Sequence, residues 1–372
     1  MIKVGVLTMH RVLNYGSALQ AYATQCVIER MGYNCEIIDY KYPNKFQFER
    51  GEPYSPLSLK SRIAKAFWLN KRWRKFNRFE LFYKRYLHLS RFYEDQNSIR
   101  ENPPAYDIYL TGSDQVWNPR FTKGDTIFLL DFVKGKKKIS YASSFACNEL
   151  EKPYSDKFKS MLQEYSYISV REDGGRKLIK DLLNIDVPVV LDPTLLLSAD
   201  DWSRLFGQEH SHKYKNRKYI LVYMLDYAFD PTSIIYNVIQ KLQDDTSYKI
   251  VSIGNLDKKL ANCKIIEEAS PIEFIRLFKN AECVVTSSFH GTAFAVNFGK
   301  PLFSIANIDT NKDDRQASLL ELLELSNCIV TQDTDINNIK LENNKTIKAE
   351  QKLESQRKKS LAYLKNALQQ YE

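Results

Sequence analysis

An alternation of short apolar runs with helical segments constrains this chain more than any other feature, and it begins at the first residues. IKVGVL (2–7) is a short apolar run with strand chemistry. A polar turn follows. From Ser17 to Met31 apolar residues (Leu19, Tyr22, Ala23, Cys26, Val27) recur at helical spacing until Gly32, and CEIIDY (35–40) is a second strand. Strand, loop, helix and strand in so short a span make the βαβ unit of a doubly wound sheet.

The alternation resumes further on, with strands expected at 107–110, 138–141, 167–170 and 187–191 and helices at 156–165 and 174–183. A polar break near 199–217 precedes a second set. There, strands are expected at 219–225, 249–253, 283–286 and 302–305, and helices at 231–243, 271–280 and 292–298. The tail 348–370 has helical composition without Gly or Pro. The expected fold is α/β, two Rossmann-like lobes facing a cleft: residues 1–200 with a basic helical insertion at about 55–91, then 201–345. A C-terminal helix at 346–372 is expected to pack back on the first lobe. In such an arrangement the active site lies where the carboxyl ends of both sheets meet.

Composition narrows the class. A chain of 372 residues with 44% hydrophobic and 27% charged residues, 13 Gly and 12 Pro suits a globular protein of two domains and excludes disordered and collagen-like chains. The six cysteines (26, 35, 147, 263, 283, 328) form no CxxC and no His/Cys set at metal spacing, so no metal site is expected and a reducing, cytoplasmic compartment is. MIKVGVLTMHRVLNYGS, whose apolar run stops at His10 and Arg11, reads as neither a signal peptide nor a membrane span.

The net charge of +9 is concentrated. Lys60 to Arg91 holds eleven Lys or Arg and one acid, Glu80, a local +10 that leaves the rest of the chain at −1. Phe67, Phe76, Phe79, Tyr83 and Tyr86 interleave with those cations at roughly helical spacing, which predicts one or two amphipathic helices. Two readings stand: attachment to an anionic membrane surface on its inner face, or an insertion whose aromatics pack on the first lobe. Nucleic acid would need a recognised module, and none is present.

Four strand ends carry candidate chemistry. Asn14-Tyr15-Gly16-Ser17 opens a helix after a strand, where backbone amides make an anion pocket, or where Ser17 is a plain N-cap. In LTGSDQVWN, Ser113, Asp114 and Gln115 are placed to orient a sugar hydroxyl, or Asp114 caps a helix ahead of a packed Trp117. In SVREDGG, Arg171 offers a planar fork for carboxylate or phosphate, or pairs with Glu172 or Asp173. In VVTSSFHGTAFA, Ser287, Ser288 and His290 fall between a buried strand and a helix, which suits a neutral general acid/base. Asp313-Asp314-Arg315 adds a fifth, in which Arg315 reaches the same cleft or forms a helix-start ion pair.

Taken in order, NYGSALQ, LTGSDQVWNPRF, SVRED, VLDPTLL, SSFHGTAFAVNFGKP and R-x-x-x-L-L-E-L-L, from about Val4 to Leu325, resemble the polysaccharide pyruvyl transferases. The resemblance implies a fold like that of B-type glycosyltransferases and transfer of a pyruvyl unit from phosphoenolpyruvate to a lipid-linked or nucleotide-linked sugar of a bacterial surface polysaccharide. It implies no further cofactor, a donor-binding arginine at Arg171 and a cleft histidine at His290. Some members carry an arginine two residues before that histidine, where this chain has Ser288, so Arg315 or a lysine is expected to take its part. The rival expectations are a nucleotide-sugar glycosyltransferase of the same fold and a non-enzymatic sugar-binding protein.

Overall fold

The computed structural model describes residues 1–41, 71–206, 217–226, 229–254, 256, 260, 262–307, 315–341 and 347–369. The chain divides into two compact units, Met1–Leu196 with Gln356–Glu372, and Leu197–Ser355.

The first unit is built on a four-stranded parallel sheet of order β2-β1-β3-β4, with β1 at Lys3–Leu7, β2 at Asn34–Ile37, β3 at Ile108–Thr111 and β4 at Lys137–Ser140. Helix Tyr15–Arg30 crosses from β1 to β2. All of β3 and four of the five residues of β1 are buried, so their sequences are apolar runs without alternation. Residues 167–170 and 187–191, expected as strands, touch the sheet only through single bridges (Ile139 with Tyr167, Ser143 with Val170, Val170 with Val189). Serine hydroxyls replace the ladder: Ser169 N donates to Ser140 Oγ and Ala142 N to Ser169 Oγ. Pro188 lacks the amide that a longer ladder would use.

The second unit has a six-stranded parallel sheet of order β10-β9-β8-β5-β6-β7, comprising β5 Tyr219–Tyr223, β6 Lys249–Ile253, β7 Cys263–Ile266, β8 Cys283–Thr286, β9 Leu302–Ile305 and β10 Ile329–Val330. Helix Thr232–Thr246 packs its apolar stripe (Ile235, Val238, Ile239, Leu242) into the core formed by Ile220, Val222, Val285 and Ile305. The polar break expected at 199–217 starts with a helix, Ala199–Phe206, whose Trp202 is buried against Phe294 at 5.2 Å between ring centres. Residues 207–216 lie outside the described residues.

The last helix, Ile347–Leu368, ends in the first unit. There Ser360 Oγ accepts from Leu191 N at 3.0 Å and Tyr363 Oη donates to Ser140 O at 3.0 Å. Burial pushes the Cys283 and Cys328 thiols up to about 12, so both stay protonated and act as small apolar groups.

The basic segment is described only from residue 71; 60–70, with Phe67, lie outside the described residues. Helix Lys71–Tyr86 buries Trp73, Phe76, Phe79, Phe82 and Tyr83. Phe79 packs on Tyr15 and Phe82 on Tyr22, which fixes the helix to Tyr15–Arg30. The aromatic face is thus committed to the first unit.

Candidate functional site

Both sheets reverse strand order beside their first strand, between β1 and β3 and between β5 and β8. Ligands in open α/β sheets bind outside the carboxyl ends at such switch points. The sequence candidates fall on these two places.

In the first unit helix Tyr15–Arg30 begins two residues earlier than expected and its N-cap is Asn14, not Ser17. The Asn14 side chain accepts from Gly16 N at 2.8 Å and Ser17 N at 3.4 Å, so the amides expected to face an anion have a partner in the chain. Ser17, displaced into the first turn, donates its hydroxyl to Asp114 Oδ2. Asp114 follows β3 with a φ of 79°, a left-handed conformation that Asp tolerates better than most residues. Its other oxygen accepts from Gln115 N at 2.8 Å and faces Arg171 Nη2 at 3.5 Å. Gln115 in turn accepts from Asn118 Nδ2 at 2.9 Å.

The Arg171 side chain is wholly buried. Nη1 donates to Asp192 Oδ2 at 2.8 Å and lies 3.3 Å from Ser113 Oγ, and Nε lies 3.8 Å from Glu172 Oε2. Ser113 itself donates to Asp192 at 2.7 Å. Asp192 also accepts from Thr194 N and Oγ1, and Glu172 from Phe145 N and Ala146 N. One guanidinium therefore sits among three buried carboxylates, with its donors aimed at protein oxygens. Asp192 went unnoticed as a partner, although an Asp directly behind an apolar run (VLDPT) has the same placement as Asp114.

The second unit's switch point has a different make-up. Ser287 Oγ donates to Leu225 O and accepts from Leu225 N, both at 2.8 Å, which ties the end of β8 to the end of β5. Thr286 Oγ1 donates to Tyr223 O at 2.7 Å. Ser288, standing where the arginine was looked for, is the N-cap of helix Phe289–Asn297 and accepts from Gly291 N at 3.3 Å. The helix was expected from 292; its earlier start puts His290 in the first turn.

His290 is 6% exposed and its ring lies edge-on to Phe289, 5.2 Å between centres. Arg315 opens helix Arg315–Leu322, is 3% exposed and holds its guanidinium carbon 5.9 Å from the centre of the same Phe289 ring. His290 and Arg315 thus each lie against the Phe289 ring, a neighbourhood that no local sequence pattern signals. Asp313 and Asp314 lie outside the described residues. The HG pair has a packing reason: a Cβ on Gly291 would stand 2.3 Å from Thr286 Oγ1. Among the described residues no group of three or more His, Cys, Asp or Glu is placed to hold a metal ion, and no helix is long and apolar enough to cross a membrane.

Two α/β units with parallel sheets and site residues at their switch points define a GT-B-like protein. UDP-N-acetylglucosamine 2-epimerase from Rickettsia bellii is 12% identical over 98% of this chain and 96% of that one, with a TM-score of 0.52. The Neisseria meningitidis enzyme bound to UDP-GlcNAc (10% identity, 100% and 95% covered, TM-score 0.47) and the Escherichia coli heptosyltransferase WaaC with ADP (10%, 97% and 100%, 0.40) are more distant in shape. At these identities the likeness is one of fold alone. A search of curated proteins finds no match. The polysaccharide pyruvyl transferase family matches residues 14–310, and the chain belongs to that family.

Proposed function

We propose that this protein transfers pyruvate from phosphoenolpyruvate to two hydroxyls of a sugar in a surface-polysaccharide precursor, forming a ketal and releasing phosphate. The observation that carries the reading is that His290 and Arg315 both lie against the Phe289 ring just beyond the carboxyl end of β8, in a chain of the pyruvyl transferase family.

Phosphoenolpyruvate carries a carboxylate and a phosphate. Arg315 offers a fork for either, and the N-terminus of helix Phe289–Asn297 adds partial positive charge. His290 delivers a proton to the methylene carbon, C2 becomes an oxocarbenium centre, and one sugar hydroxyl adds there, returning its proton to His290. Phosphate then leaves with that proton, and the second hydroxyl closes the ketal as its own proton passes to His290. One acid/base group in a water-poor setting is enough. Ser287 and Ser288 fix the strand end from which the histidine projects. Arg171 acts on this account as a positioning residue: with Asn14, Gly16, Ser17, Ser113, Asp114 and Gln115 it holds the strand-end loops of the first unit in shape.

The test mixes the protein with phosphoenolpyruvate and a panel of nucleoside-diphosphate and polyprenyl-diphosphate sugars. Phosphate should be released in step with a sugar that gains one pyruvate less one water, and His290→Ala should abolish both. Release of nucleoside diphosphate from the panel, with phosphoenolpyruvate untouched, would make the protein a glycosyltransferase instead.

A further inference from the structure

We infer that Gln316 is a positioning residue for the candidate site of the second unit: its carboxamide sets the angle at which Arg315 meets the Phe289 ring, and so the place of the donor anion relative to His290. The identity of that anion rests on the transferase reading; the geometry stands without it. Gln316 follows Arg315 in helix Arg315–Leu322 and is half-buried. Its Nε2 donates to Ser304 Oγ at 2.7 Å, to Thr292 Oγ1 at 3.3 Å and to Ile305 O at 3.4 Å. A backbone carbonyl can only accept, so the nitrogen of the amide faces this cluster. Ser304 and Thr292 are fully buried, and their hydroxyls bond to each other at 2.8 Å. One side chain thus ties its own helix to helix Phe289–Asn297 and to the end of β9.

The tie falls where it governs the site. Thr292 lies three residues after Phe289, so the two are neighbours on one face of their helix. Phe289 is the ring against which both His290 and Arg315 lie. Ser304 pairs with Thr286, the residue that a Cβ on Gly291 would strike. Leu319 and Leu320 are buried and hold helix Arg315–Leu322 to the body of the unit, but apolar contact has no preferred direction. Hydrogen bonds do. Successive residues stand about 100° apart around a helix. Fixing Gln316 therefore fixes the rotation of its helix, and with it the side from which Arg315 projects.

The test compares wild type with Gln316→Met, which keeps the length of the side chain and removes its donors, in phosphate release from phosphoenolpyruvate. The KM for phosphoenolpyruvate should rise about tenfold, with a smaller fall in kcat, because the change displaces Arg315 more than His290. Thr292→Val should act in the same direction, while Thr292→Ser, which keeps the hydroxyl, should not. The double variant Q316M/T292V should be no worse than Q316M alone. A second arm uses no substrate. In protein with isotope-labelled arginine, the Arg315 Nε–H signal, identified by its loss in Arg315→Met, should move in Gln316→Met. If wild type releases no phosphate, the transferase reading fails and this arm alone decides the inference. A lower melting temperature with KM unchanged, additive effects of the two changes, or an Arg315 signal that stays in place would overturn it.

Discussion

The two switch points occupy equivalent places in their sheets and are furnished in opposite ways. Behind β3 and β4 a fully buried arginine is enclosed by Asp114, Glu172 and Asp192, and each of these carboxylates accepts further bonds from the chain. Behind β8 there are hydroxyls, an aromatic ring, a histidine and one arginine above that ring. A network of buried charges with its donors spent on protein oxygens specifies shape. A histidine and an arginine that each lie against one ring are of a kind suited to an anionic substrate and to proton transfer. On the proposed reading, one strand end serves the fold and the other the chemistry.

The largest expected effect breaks the comparison at its catalytic side. His290→Ala should cost about a hundred- to ten-thousand-fold in turnover with little change in melting temperature, read by phosphate release and calorimetry. Next comes Arg171→Met, which leaves three buried carboxylates without their cation and should cost about 3–5 kcal/mol in urea unfolding. A variant as stable as wild type but unable to bind phosphoenolpyruvate would move Arg171 to the substrate and erase the distinction. Gly291→Ala should cost about 1–3 kcal/mol through its collision with Thr286, with activity falling as the first helical turn shifts.

A smaller effect sharpens the account of the first unit. Burial alone would raise the Asp39 carboxyl, but bonds from Arg11 and His10 outweigh it and hold the group at about 2. Its contribution, about 2 kcal/mol, is complete above the ordinary carboxylate range and fades as pH falls towards 2. The stability difference between wild type and Asp39→Asn should therefore shrink by that amount between about pH 5 and pH 2. Smallest is Ser17→Ala, which removes one donor from Asp114 and should cost about 1 kcal/mol.

Much of this architecture was legible in the sequence, for reasons that can be named. Buried strands such as β1, β3 and β8 are uninterrupted apolar runs, and helices such as Pro271–Asn280 carry their own punctuation, here Ser270 as cap and Pro271 at the first position. β7 was missed because only Ile266 of its four residues is buried, and β10 because two residues leave no pattern. The runs at 167–170 and 187–191 have strand composition, but serine hydroxyls and a proline confine them to single bridges. At the site, His290 is legible because position relative to a strand end is local information. The enclosure of Arg171 is not, since Asp114 and Asp192 come from 57 and 21 residues away. The basic segment shows the same limit: composition revealed its charge, while only packing shows that its aromatics face inward.

The division of labour is tested most directly by titrating phosphoenolpyruvate into wild type, Arg315→Met and Arg171→Lys while following thermal melting. The account predicts that phosphoenolpyruvate raises the melting temperature of wild type and of Arg171→Lys, which itself starts from a lower value, and leaves Arg315→Met unmoved. Stabilisation retained in Arg315→Met and lost in Arg171→Lys would contradict it, and would place the donor at the end of the chain assigned here to the fold.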